Sequence, residues 1–175
     1  MTPDDIHLVQ MSFKQLQPKA AEVGLIVYER LFETHPDLRP MFGSNIWHQS
    51  RKLMQVLAVV VTSLDRLTTI LPTVEDLARR HETYGVRHEH YSIVGETLRW
   101  TLAQGLGWDF MPQVETAWLT AYATICGEVF ARLRMGLCLR DAIAPSVPRP
   151  ISRGAGFSRE VQLPAPLTAS SRIAA

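Results

Sequence analysis

Apolar positions recur along the first 136 residues at the three- and four-residue spacing of a helix face. Ile6, Val9, Phe13 and Leu16 make the first stripe. It follows Thr2-Pro3-Asp4-Asp5, which offers an N-cap, a proline at the first helical position and acids in the first turn, and it ends at Pro18. Ala20, Val23, Gly24, Val27, Tyr28 and Leu31 predict a second helix over 19–34. Gly24 in its middle costs about 1 kcal/mol against alanine, so close helix packing is expected there. His35-Pro36 stops the helix, and a short turn over 37–42 and a loop over 43–47 follow. Leu53, Val56, Leu57, Val60 and Leu64 predict a long helix. Pro72 is expected to open the next, with Val74, Leu77, Ala78 and His81 on one face and Tyr84-Gly85 at its end. Tyr91, Val94, Leu98 and Leu102 mark another, closed by Gly105-Leu106-Gly107. The last begins near Pro112 with Val114, Trp118, Ala121, Tyr122, Ile125 and Val129. No period-2 alternation or hairpin turn interrupts them, so an all-α domain of about seven helical segments is expected over 1–136.

The pattern fails after Gly136. Residues 137–175 hold five of the eleven prolines and five arginines against Asp141 and Glu160, and Phe157 is their one aromatic. Such a stretch buries too little apolar surface to offset its ordering entropy, so a disordered, mildly basic tail is expected. Overall the 18 Lys+Arg and 17 Asp+Glu nearly cancel. That balance argues against a nucleic-acid binder or a membrane-surface protein. The longest apolar run, Val56–Val61, is far short of a membrane span. Without a signal sequence at the N-terminus and with two cysteines only, a cytoplasmic location is expected.

The nucleotide, phosphate, zinc and serine-hydrolase motifs are all missing. Cys126 on an apolar face reads as a small buried hydrophobe, and Cys138 as a more accessible thiol without the marks of a nucleophile. On its stripe alone, His81 reads as a hydrogen-bonded core or boundary histidine. A single imidazole serves as a metal ligand only where something else fills the other positions, as a porphyrin does.

Phe42 after Pro36, Gln49-Ser50-Arg51-Lys52-Leu53-Met54, Leu77-Ala78-Arg79-Arg80-His81, Tyr84-Gly85-Val86, His90-Tyr91 and Val94-Gly95 stand in the order and spacing of a known family. Over residues 3–135 the chain resembles the bacterial single-domain globins, namely the globin domains of flavohaemoglobins and the Vitreoscilla-type and Hell's Gate-type haemoglobins. The resemblance implies a 3-on-3 helical sandwich around haem b. It implies His81 as the proximal iron ligand, Phe42 as the aromatic wedged against the porphyrin, Tyr91 as the proximal-side tyrosine and Val94 as an aliphatic haem contact. It implies Tyr28 and Gln49 as the distal polar pair. His48 competes with Gln49 for that position. Four residues on from Gln49 stands Leu53, an apolar wall, whereas four on from His48 stands Lys52, a charge, and this favours Gln49. Lys52 and Arg80 are then candidates to reach the haem propionates.

Phenol and amide donors stabilise a gas ligand that gathers negative charge on binding, so Tyr28 and Gln49 imply tight dioxygen binding and slow release, with carbon monoxide gaining less. One departure stands out. Full flavohaemoglobins add a glutamate on the last helix to the proximal pair. The matching position, thirteen residues after Tyr122, is Met135, its neighbours Leu133, Arg134, Gly136 and Leu137 are not acidic, and Glu128 is nearly two turns away. This argues against a peroxidase-like or strongly dioxygenase-like proximal side. The 39 residues after Gly136 are too few for a flavin or nicotinamide domain, so turnover is expected to need an external reductase.

Four functional readings follow. A haem b globin for oxygen carriage, storage or delivery comes first, as a monomer or weak homodimer. A nitric oxide dioxygenase with a separate reductase comes second. A haem-based gas sensor signalling through the tail is third, and a haem-free helical module is last.

Overall fold

A computed structural model of the chain describes residues 1–143, and the side chains of 1–131 and Leu133. The remainder of the tail expected from 137 onward, and the side chains of Met135 and Cys138, lie outside the described residues. Six α-helices carry the fold: α1 (Pro3–Leu16), α2 (Ala20–Thr34), α3 (Ile46–Thr62), α4 (Leu67–Thr83), α5 (His88–Leu106) and α6 (Pro112–Ile143). Short 3-10 turns at Gln17–Lys19, Pro36–Met41, Leu64–Arg66 and Gly107–Asp109 join them, and no strand occurs among the described residues. No single helix is long and apolar enough to cross a membrane among those residues.

Local chemistry sets most boundaries. Thr2 and Asp5 form a reciprocal cap at the start of α1: the Asp5 amide donates to Thr2 Oγ1 and the Thr2 amide to Asp5 Oδ2. Gly85 and Gly107 follow α4 and α5 at φ 81° and 56°, the left-handed region that glycine enters without a Cβ penalty.

Three boundaries depart from the pattern. The loop expected to reach Trp47 ends earlier, because the Asn45 side chain accepts from the His48 amide at 2.9 Å and starts α3 at Ile46. Pro72 does not open α4 but lies inside it. The preceding turn is anchored by Leu71, 2% exposed, with Ile70 against the core, and that burial outweighs the one ladder bond the proline removes. Lastly, α6 runs on to Ile143 rather than stopping near Gly136, since residues 137–143 contain no proline and are mostly good helix formers.

Packing runs chiefly between two sets of helices. From the set α1, α3, α4, helix α1 lies on α6, α3 on α2 and α4 on α6. Helix α5 sits between α2 and α6. The main core joins Val9, Phe13, Leu16, Leu102 and Trp118, with the Trp118 indole donating to Ser12 Oγ at 2.9 Å. Helix α2 crosses α3 at Gly24, where a Cβ would stand 2.9 Å from the Ser50 carbonyl oxygen and 3.0 Å from Met54 Cγ. Only a glycine allows that approach.

Candidate functional site

The Gly24 crossing brings the face of α2 that carries Tyr28 beside Leu53 of α3. Tyr28 is 8% exposed. Phe42 meets its ring edge-on with centroids 5.3 Å apart, and Phe32, one turn along α2, lies tilted at 5.9 Å. Leu31, Leu38, Leu53 and Ile93 complete this second apolar cluster. The Tyr28 hydroxyl has no hydrogen-bond partner among the described residues, and burial alone pushes its pKa up to about 12. A phenol so placed is a buried donor without an acceptor among the described residues.

Gln49 stands one turn before Leu53 on α3 and is half-buried, while His48 is exposed. Lys52 is exposed. The amide, not the imidazole, thus shares the inward side of α3 with Leu53.

His81 lies in the last turn of α4, where its carbonyl accepts from the Tyr84 and Val86 amides at 3.0 Å each. Its ring is half-buried, and burial, followed by the Arg80 charge, holds its pKa below the usual histidine range. The imidazole is neutral and keeps a lone pair. No side chain among the described residues hydrogen-bonds it. Arg80 is exposed and turns its Nε back to the Asp76 carbonyl oxygen at 3.3 Å.

Tyr91, in the first turn of α5, stands edge-on to His81 with centroids 6.4 Å apart. Burial raises its phenol pKa, helped by Cys126 and Glu82. Phe130 of α6 meets the Tyr91 ring edge-on with centroids 4.9 Å apart, and the Tyr122 hydroxyl donates to the Tyr91 carbonyl oxygen at 2.7 Å. Val94 is half-buried on the same helix. Tyr91 and Ile93 are two residues apart, so the start of α5 joins the His81 side to the Tyr28 cluster.

The chain therefore gathers Tyr28, Phe42 and Leu53 in one cluster and His81 with Tyr91 in another. Lys52 and Arg80 stay outside both. Phe32 and Phe130 were not singled out from the sequence. Phe32 is legible in hindsight as the helix neighbour four residues from Tyr28, but Phe130 is placed only by the α5–α6 packing.

These residues suit a porphyrin better than a bare ion. No three His, Cys, Asp or Glu side chains cluster to hold a metal among the described residues. A lone neutral imidazole fits a metal whose other positions a macrocycle fills. Phe42, Leu53, Tyr91 and Val94 offer apolar surface that the helices alone cover only partly, and the unpartnered Tyr28 hydroxyl offers a polar contact.

Comparison with known proteins gives a consistent picture. The family model described as Globin matches residues 26–129. The flavohemoproteins of Vibrio cholerae and Bacillus subtilis are each 29% identical, over 127 and 125 residues, or 70% and 69% of this chain. That of Bacillus thuringiensis is 31% identical over 123 residues, 69% of this chain. The aligned region spans about a third of the length of these relatives: 32%, 31% and 30%. Among solved structures, an engineered carbene transferase from Rhodothermus marinus, described as a candidate nitric oxide dioxygenase, superposes with a TM-score of 0.71 at 23% identity. The match covers 81% of this chain and 99% of that one, and it speaks to the fold.

Proposed function

The chain belongs to the globin family, whose cofactor is haem b, and from this premise we propose that it binds dioxygen reversibly and with high affinity, for carriage, storage or delivery. Haem b, when bound, supplies the iron that takes a diatomic gas. His81 would hold that iron through Nε2, with Phe42, Leu53, Tyr91 and Val94 against the porphyrin. Lys52 and Arg80, both exposed, would reach its propionates by swinging their long side chains.

One observation carries the reading: Tyr28 presents a buried hydroxyl without a partner among the described residues. Its proton is free to go to the gas ligand, and Gln49 adds an amide donor from the inward side of α3. A hydrogen bond to a charge-bearing ligand is worth about 1.5–3 kcal/mol, one to two decades in affinity. The surrounding apolar cluster limits the water that would compete for it. The test is the dioxygen off-rate of the reduced protein. In Tyr28→Phe it rises about tenfold or more, because the ring stays and the donor goes. An unchanged off-rate contradicts the assignment.

The flavohemoprotein relatives favour a second reading, nitric oxide dioxygenation. Nitric oxide and dioxygen would combine to nitrate with one electron drawn from an external reductase at each turnover. Oxygenated protein mixed with a flavin or ferredoxin reductase separates the readings. Nitric oxide consumption beyond one equivalent means turnover, and consumption that stops at one equivalent means a binder.

A further inference from the structure

Where the chain leaves the Pro36–Met41 turn, the Phe42 and Gly43 carbonyls receive no backbone amide among the described residues. Arg39 supplies the donor instead. Its Nη1 donates to the Phe42 carbonyl oxygen at 3.2 Å and to the Gly43 carbonyl oxygen at 3.4 Å. Its own carbonyl accepts from the Phe42 amide at 3.2 Å. Arg39 thus holds Phe42 by both of its backbone polar groups.

The same guanidinium lies over the Phe32 ring, 5.0 Å from its centroid. Phe32 meets Phe42 edge-on with centroids 5.4 Å apart. Both rings lie against Tyr28, Phe32 at 5.9 Å and Phe42 at 5.3 Å, so the three form a closed triangle. No carboxylate pairs with Arg39 among the described residues. Its charge goes to two carbonyl oxygens and one ring face. A guanidinium suits this better than an ammonium, because it is flat enough to stack and carries several donors in one plane.

A buried donor favours a ligand only while it keeps its direction, because a hydrogen bond weakens steeply as it bends. Tyr28 and Phe32 are fixed one turn apart on α2. Phe42, the third ring, stands on extended backbone at φ −110° and ψ 138°, outside any helix. Its place therefore depends on what holds that backbone. We propose that Arg39 is a positioning residue for Tyr28: by pinning Phe42 and covering Phe32 it makes the three rings one block, and so keeps the Tyr28 hydroxyl aimed at the gas ligand. In this role Arg39 acts only through the rings. The inference rests on the reading of Tyr28 as the distal donor.

Infrared spectroscopy of the haem-loaded, reduced protein under carbon monoxide tests this, since the carbon–oxygen stretching frequency falls as a donor approaches the bound gas. Tyr28→Phe sets the reference and should raise that frequency. Arg39→Gln should split the band, with a second component near the Tyr28→Phe position. It should also speed dioxygen release by about threefold, short of the roughly tenfold expected when the donor itself is lost. Arg39→Lys, the milder change, keeps a charge but lacks the planar fork, and should show the same split at smaller amplitude. Arg30→Gln is the control. Arg30 also lies over a ring, Trp100 at 4.7 Å, and pairs with Glu33, outside the three-ring cluster. Its loss should lower Tm and leave the band single and in place. If both Arg39 variants keep the parent's band and off-rate while Tyr28→Phe moves them, the positioning role is overturned, whatever happens to Tm. If Tyr28→Phe itself leaves the band in place, the donor assignment falls, and this inference falls with it.

Discussion

The Tyr28 phenol keeps its proton where water reaches it poorly. Folded, it titrates at about 12, against 10.0 for the free group. The sign follows from linkage. A raised folded pKa leaves stability intact below pH 10 and erodes it as pH climbs from 10 toward 12, because the unfolded chain then releases a proton that the folded chain retains. The same shift predicts a dioxygen off-rate that stays flat from pH 7 to about 9.5, since the donor remains a donor throughout. A stopped-flow pH series checks this, and a rise near pH 8 would point to another donor. Tyr28 was legible in the sequence because it sits on a helical stripe and matches a distal position. Gln49 is separated from His48 in the sequence by the side chain four residues on; in the structure Gln49 is half-buried and His48 exposed. The contacts of Phe130 and Tyr122 with α5 are not legible in the sequence. They act from α6 on α5, and nothing in local spacing announces which turn of one helix lies on which turn of another.

At the scale of helices, the α2–α3 crossing sets how near Tyr28 comes to Leu53. Its pivot is Gly24, seated on Ser50, which is fully buried. Gly24→Ala would gain up to about 1 kcal/mol of helix propensity. It would also drive a Cβ to 2.9 Å from a backbone oxygen that cannot rotate away. Overpacking of this kind costs about 1–3 kcal/mol. The expected result is a net loss of stability by urea denaturation and a faster dioxygen off-rate as the helices part. Greater stability with an unchanged off-rate would show that the crossing relaxes freely. The glycine's purpose could be anticipated from the stripe around it, since an interior glycine on a buried face is there for close approach. Pro72 misled for the opposite reason. Proline is a strong local signal for a helix start, but Leu71 and Ile70, just before it, are held by the core, and tertiary burial overrode the local preference. The end of α6 was missed because composition averaged over 137–175 hid a short proline-free run at its beginning.

For the whole molecule, the family follows from the match over residues 26–129 and the fold from the helical packing, while the use made of the bound gas is the proposal. Under the proposed reading the donors that would hold dioxygen serve storage and nitric oxide chemistry alike, and the electron supply decides between them. The family's cofactor, haem b, is the centre on which the proposed function turns. The measurement that tests it most directly is the absorption spectrum of the purified protein, reduced, then exposed to oxygen, then purged. The expected record is a Soret band, a single broad visible band in the reduced form, two bands under oxygen, and return to the single band on purging. A sharp two-banded reduced spectrum before oxygen is admitted would mean that a protein side chain holds the sixth position, and would contradict reversible dioxygen binding at an open site.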